Sequence, residues 1–80
     1  MRVIVKLFGG LNSGKDFKRT EEGDIIFESV ESYSVGQLID ALSLNKKPFI
    51  VIHNGIILTH LDIKLKDGDE ISLFPPIAGG

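Results

Sequence analysis

Only one segment of this chain carries helical periodicity, and that limits the folds open to it. Val35, Leu38, Ile39 and Leu42 fall at i, i+3, i+4 and i+7, a single apolar stripe. Ser34 and Gln37 stand just ahead with capping-box spacing, the hydroxyl reaching the N3 amide and the glutamine reaching back. Tyr33 at N′ and Leu38 at N4 occupy the positions of a hydrophobic staple. Gly36 in the first turn weakens the helix without forbidding it. The helix is expected to end near Asn45, before Pro48. A lone helix cannot bury such a stripe against itself, so it must lie across a sheet.

The flanking segments supply that sheet. Val3, Val5 and Leu7 alternate with Arg2, Ile4 and Lys6 in a first strand. Gly9-Gly10 and Asn12-Ser13-Gly14-Lys15 break it, and the polar stretch to Gly23 reads as a long hairpin connection. A second strand is expected over about Asp24 to Glu31. After the helix, Phe49-Ile50-Val51-Ile52 is a continuous apolar run and reads as a well-buried strand. Asn54-Gly55 is a strong hairpin signal, since a type I′ turn needs positive φ at both central residues. Ile56-Ile57-Leu58 would pair back, and Leu61, Ile63 and Leu65 alternate with polar residues through an irregular crossing. Asp67-Gly68-Asp69 makes a tight turn into a last strand, Glu70 to Phe74. The expected result is a two-layer α+β domain, one sheet face covered by the helix and the other largely open.

Eighty residues, 42% hydrophobic and 25% charged, suit one small globular domain. Zero cysteines exclude disulfides, thiolate-bound metal, iron–sulfur clusters and a cysteine nucleophile. The net charge of −2 argues against nucleic acid, because Lys15, Lys18 and Arg19 are followed at once by Glu21, Glu22 and Asp24. The first apolar run is too short for a signal peptide and no stretch approaches a membrane span, so no membrane partner and a cytoplasmic location are expected.

Three motifs suggest chemistry and do not carry it. Gly9-x4-Gly14-Lys15 approximates a phosphate-binding loop, but Asp16 stands where a Ser or Thr would ligate magnesium. Asp67-Gly68-Asp69-Glu70 lacks the remaining ligands of a calcium loop. His53 and His60 have no partner at metal-ligand spacing and read as ordinary surface or loop histidines; no metal site is expected. No nucleophile elbow is present either, so the chain shows no self-contained active site.

The carboxy-terminal stretch Pro75-Pro76-Ile77-Ala78-Gly79-Gly80 differs in kind. Two terminal glycines resist being pinned to a domain surface, and without Cβ atoms they make a backbone thin enough for a narrow cleft. The prolines fix φ and end the strand as donors, so the tail leaves stiffly. From Pro76 to Gly80 it can reach roughly 17 Å at about 3.4 Å per extended residue. A frayed terminus is the competing explanation. On the last strand Ile71 and Leu73 share one face, which puts Ser72 and Phe74 on the other. Phe8 is likewise out of phase with Val3, Val5 and Leu7. Two aromatics on the open face beside the tail point either to a docking surface or to a second minor core closed by loops.

Leu65-Lys66-Asp67-Gly68-Asp69-Glu70-Ile71 running into Phe74-Pro75-Pro76-Ile77-Ala78-Gly79-Gly80 resembles the ubiquitin-like sulfur carriers of the MoaD/ThiS family. The ending is most similar to the small-subunit branch that serves molybdopterin synthase. Asn54-Gly55, Leu7-Phe8-Gly9 and the length extend the resemblance along nearly the whole chain, while the Gly10-to-Gly23 connection departs from it. The resemblance implies an α+β, β-grasp (ubiquitin-like) domain over residues 1–75. Its mixed sheet would have four to five strands with one helix packed across one face, and a flexible Gly-Gly tail would follow over 76–80.

It also implies a carrier and not an enzyme, with no tightly bound cofactor and no catalytic residue of its own. An E1-like adenylating enzyme would join the Gly80 carboxylate to AMP, using ATP and Mg. Sulfur from a persulfide donor would then displace AMP to leave a thiocarboxylate for molybdopterin synthesis on a larger synthase subunit. Pro75, Pro76, Ile77, Ala78 and Gly79 would thread the partner's active site, and Phe8, Ile57 and Phe74 match docking positions. Three other roles stay open: sulfur for thiamin thiazole or tRNA thiolation, conjugation through Gly80 to target lysines, and a plain interaction domain.

Overall fold

In a computed structural model, which describes residues 1–76, strand β1 (Arg2–Leu7) alternates as its sequence requires. Val3 and Val5 are fully buried, while Ile4 and Lys6 face the other way and are half-buried. The same parity governs β3 (Ile25–Glu28), where Ile25 and Phe27 are buried, and β6 (Glu70–Phe74), where Ile71 and Leu73 are buried. β4 (Ile50–His53) contributes Val51 to that face. Two short strands, β2 (Lys18–Arg19) and β5 (Ile56–Ile57), complete the set.

The sheet order is β2-β3-β1-β6-β4-β5. β1 and β6 run parallel at its centre, and every other pairing is antiparallel. With one helix crossing one face of a mixed sheet, this is the α+β, β-grasp architecture that the resemblance implies. The sheet has six strands where four to five are expected. The extra one is β2, cut from the Gly10–Gly23 connection. It has no apolar alternation to announce it: both residues are exposed, and Lys18 sits 3.6 Å from Glu28 on β3.

Helix α1 (Val35–Leu42) buries Val35, Leu38 and Leu42 against the sheet. Each fully buried aliphatic side chain contributes roughly 2 kcal/mol relative to exposure. The capping box is formed: Gln37 N donates to Ser34 Oγ at 3.1 Å, and Ser34 N to Gln37 Oε1 at 2.8 Å. The first two helical amides are also satisfied, Val35 N by Ile63 O at 2.9 Å and Gly36 N by Leu61 O at 2.8 Å. The irregular crossing over 61–65 therefore closes the helix amino terminus, whose donors would otherwise be orphaned. Gly36 has a reason to be there, because a Cβ would stand 3.3 Å from the Leu61 carbonyl oxygen.

The helix stops at Leu42 and not near Asn45. Ser43 turns left-handed at φ 49°, and the Gly10–Gly14 loop takes over the bonding: Gly14 N donates to Ser43 O at 2.8 Å and Asn45 N to Asn12 O at 3.0 Å. The second strand is shorter than Asp24 to Glu31. Phe49-Ile50-Val51-Ile52 is not well buried as a run: Phe49 is 73% exposed, and Ile50 and Ile52 are half-buried on the uncovered face. The Asn54-Gly55 turn has φ of 49° and 85° at its centre, as type I′ demands.

Candidate functional site

The uncovered face of the sheet holds the candidate docking residues, and β-register places them. Lys6 pairs with Ser72, Ser72 with Ile52, and Ile52 with Ile57, which makes one row across four strands. Ile50 pairs with Phe74 in the next row. Phe8 follows directly on β1, and its amide donates to Leu73 O at 3.0 Å, extending the β1–β6 ladder one residue further. The two phenyl rings then meet: Phe8 and Phe74 stack with centroids 4.5 Å apart and planes 3° from parallel.

This stack sits at the end of the sheet where Pro75 begins. Phe8 is 42% exposed and Phe74 half-buried, so the pair forms an aromatic ledge open to solvent, not a second closed core. Ile57 lies on the same side, 65% exposed on the edge strand β5. It is two strands from Phe74, roughly 10 Å across the sheet at the usual strand spacing. Lys6, beside the ledge, is 4.0 Å from Asp24 and 3.9 Å from Glu70, an exposed pairing whose worth is small.

The chain's exit is built by close approach. Phe49 N donates to Phe74 O at 2.8 Å, holding the last residue of β6 against β4. Pro75 then lies against Gly9, where a Cβ would come within 2.6 Å of the proline ring. Pro76 is exposed. The other tail residues singled out in the sequence, Ile77, Ala78, Gly79 and Gly80, lie outside the described residues.

A polar cluster that the sequence does not announce lies at the opposite end of β6. His53 Nε2 is 2.8 Å from Asp69 Oδ2, Asn54 Nδ2 donates to Asp69 Oδ1 at 3.0 Å, and Lys66 N donates to Asp69 Oδ2 at 2.9 Å. Asn54 also accepts from Glu70 N at 2.8 Å. Burial pushes the Asp69 carboxyl up, but the bonds from His53, Asn54 and the Lys66 amide outweigh it and hold the carboxyl below its usual range. His53 is thus a half-buried partner of Asp69 and not an ordinary surface histidine. These side chains bond one another across the ends of the two strands, which makes the cluster a clasp between β4 and β6.

The remaining motifs resolve as structure. Gly14 of the loop-like Gly9–Lys15 segment spends its amide on Ser43, and no helix begins there to receive an anion. Among the described residues no group of acidic or histidine side chains could hold a metal ion. No helix among them is long and apolar enough to cross a membrane.

With this geometry in place, comparison with known proteins is informative. Residues 5–80 match the model of the ThiS family. Small archaeal modifier protein 3 of Haloferax volcanii is 39% identical over 64 residues, which cover 72% of this chain and 67% of that protein. A chain from the solved complex of subunits 1 and 2 of molybdopterin-converting factor from Helicobacter pylori superposes with a TM-score of 0.62, at 26% identity and full coverage of both chains. The β-grasp sheet, the aromatic ledge beside the Pro-Pro exit and a family match across nearly every residue lead to one conclusion: this chain belongs to the ThiS family.

Proposed function

We propose that this protein carries sulfur as a thiocarboxylate on Gly80, for delivery to molybdopterin. At the coarser level it is of the ThiS type, whose known roles are sulfur carriage and ubiquitin-like modification. The observation that carries the finer reading is the Phe8–Phe74 stack, exposed at the end of the sheet from which Pro75 leads to the tail. A carboxylate is a poor electrophile until one oxygen belongs to a good leaving group. An E1-like adenylating enzyme using ATP and Mg supplies that group as AMP. The outer sulfur of a persulfide donor displaces it to form an acyl disulfide, which a thiol cleaves to the thiocarboxylate, leaving the donor's sulfur in a disulfide with that thiol.

This chain contributes presentation. The ledge of Phe8 and Phe74, with Ile57 further along the same face, docks the partner. Pro75, Pro76, Ile77, Ala78 and Gly79 lead the acyl carbon into the partner's active site, where holding the reactants together accounts for much of the rate. The absence of side chains on Gly79 and Gly80 leaves the line of attack clear. The larger subunit of a molybdopterin synthase then takes the sulfur, a role favoured by the likeness to a chain from a two-subunit molybdopterin-converting factor.

A second reading, conjugation of Gly80 to lysines of other proteins, is favoured by the 39% identity to small archaeal modifier protein 3. Intact mass separates the two. After incubation with the E1-like enzyme, ATP–Mg, a persulfide donor and a thiol reductant, the carrier reading expects one oxygen of the chain to be replaced by sulfur. An unchanged mass with ladders of conjugates in cell extract overturns it in favour of the modifier.

A further inference from the structure

We infer that Gly9 is a positioning residue for activation of the tail: by leaving room for the Pro75 ring, it sets the direction in which the chain leaves β6. The functional half of this inference rests on the carrier reading above. Gly9 has φ +62°, and an ideal Cβ there would stand 2.6 Å from Pro75 Cγ and 2.7 Å from Pro75 Cδ. Neither atom is the free end of a flexible side chain. Cδ is bonded to the Pro75 nitrogen, so the ring moves only if the main chain moves with it.

The ring has no retreat toward the sheet. Phe8 N is bonded to Leu73 O at 3.0 Å, Phe49 N to Phe74 O at 2.8 Å, and the Phe8 ring is stacked on Phe74. A side chain at position 9 must therefore swing the exit outward. Pro75 and Pro76 both have φ locked by their rings, so a displaced Pro75 carries Pro76 with it instead of turning away about φ. A turn of about 10° at Pro75 moves the point where the chain leaves Pro76, roughly 7 Å on, by about 1 Å. Misplacement of reacting atoms by about 1 Å can cost about 100-fold in rate.

Gly10 supplies the control. Its φ is +83°, and a Cβ there meets nothing within 4 Å. Alanine at either position meets a positive φ, but only at Gly9 does it also strike Pro75. Comparing Gly9→Ala with Gly10→Ala therefore separates the seat for the ring from backbone strain.

The experiment uses the full chain, with thermal unfolding recorded for each variant. In the wild type, NMR should show through-space contact between Gly9 Hα and Pro75 Hδ. Gly9→Ala should shift the amide resonances of residues 77–80, while Gly10→Ala leaves them in place. With the E1-like adenylating enzyme and ATP–Mg, pyrophosphate exchange should show kcat reduced roughly tenfold or more for Gly9→Ala at a KM within about twofold, because docking through Phe8 and Phe74 is retained. Gly10→Ala should stay within about twofold of wild type in both constants. Absence of the wild-type contact, or equal losses in the two variants, overturns the inference. If the wild-type chain is not adenylated at all, the carrier reading has failed, and the NMR comparison still decides whether Gly9 directs the exit.

Discussion

His53 Nε2 and Asp69 Oδ2 stand 2.8 Å apart, joining the last residue of β4 to the residue that precedes β6. Asp69 is one of the chain's buried side chains, at 8% exposure, and its acceptors are filled by His53, Asn54 and the Lys66 amide. Removing the acceptor leaves several donors unpaired at once, so Asp69→Ala should destabilise the fold by about 2 kcal/mol, measured by urea unfolding at neutral pH.

The same carboxyl makes stability depend on acid. Its folded-state pKa is held below the ordinary value, chiefly by the His53 and Asn54 bonds acting against burial. In the interval between the folded and unfolded values the unfolded chain binds more protons, so stability rises with pH there. The contribution is complete above about pH 4 and is lost as pH falls through the lower folded-state value. Asp69→Asn should flatten this part of the urea midpoint against pH curve, and an unchanged slope would mean that other carboxylates carry it.

Phe74→Ala should separate binding from folding. The ring is half-buried and stacked on Phe8, so its loss should cost the fold about 2 kcal/mol, short of unfolding it. Affinity for the E1-like enzyme or the larger synthase subunit should fall by about 2 kcal/mol, roughly 30-fold, as for a central aromatic anchor. Calorimetry of the variant with each partner checks this, and equal affinity for both would remove the ledge from the interface.

Deleting Gly80 should abolish thiocarboxylate formation while leaving the melting temperature within about 2 °C of wild type. Among the described residues the buried core runs from Val3 to Leu73. Differential scanning calorimetry and intact mass on the same sample test both halves.

Leu38→Ala and Ser34→Ala grade the helix. Leu38 is fully buried in the stripe facing the sheet, and its truncation should cost about 3 kcal/mol. Ser34→Ala removes the cap bond to Gln37 and should cost about 1 kcal/mol. For a domain this size, each kcal/mol lowers the melting temperature by roughly 4–8 °C.

What could be read in the residues was local. The capping box of Ser34 and Gln37, the type I′ turn at Asn54-Gly55 and the parity that splits Ile71 and Leu73 from Phe74 each depend on neighbours a few positions away. All three appear in the fold. Other features were set by contacts across long stretches of chain. β2 exists only because Lys18 and Arg19 find Ile26 and Ile25, and Leu42 ends the helix because the Gly10–Gly14 loop bonds to Ser43. Phe49 reads as buried from its apolar run, yet it lies just outside β4 and is exposed, while Ile50 and Ile52 point to the face the helix leaves uncovered. The site divides the same way. The shared side of Phe8 and Phe74 follows from strand parity, but their stacking follows from the β1–β6 register. The approach of Gly9 to Pro75 and the clasp of His53 with Asp69 have no signature in spacing at all.

The last strand in the chain is not at the border of the sheet: β6 lies between β1 and β4, parallel to the first strand. During synthesis this gap stays empty until residue 74 has left the ribosome, so no shorter product can offer the aromatic ledge, whose halves lie far apart in the sequence. On the carrier reading, an activating enzyme that docks there meets only chains whose β6 has already entered the sheet.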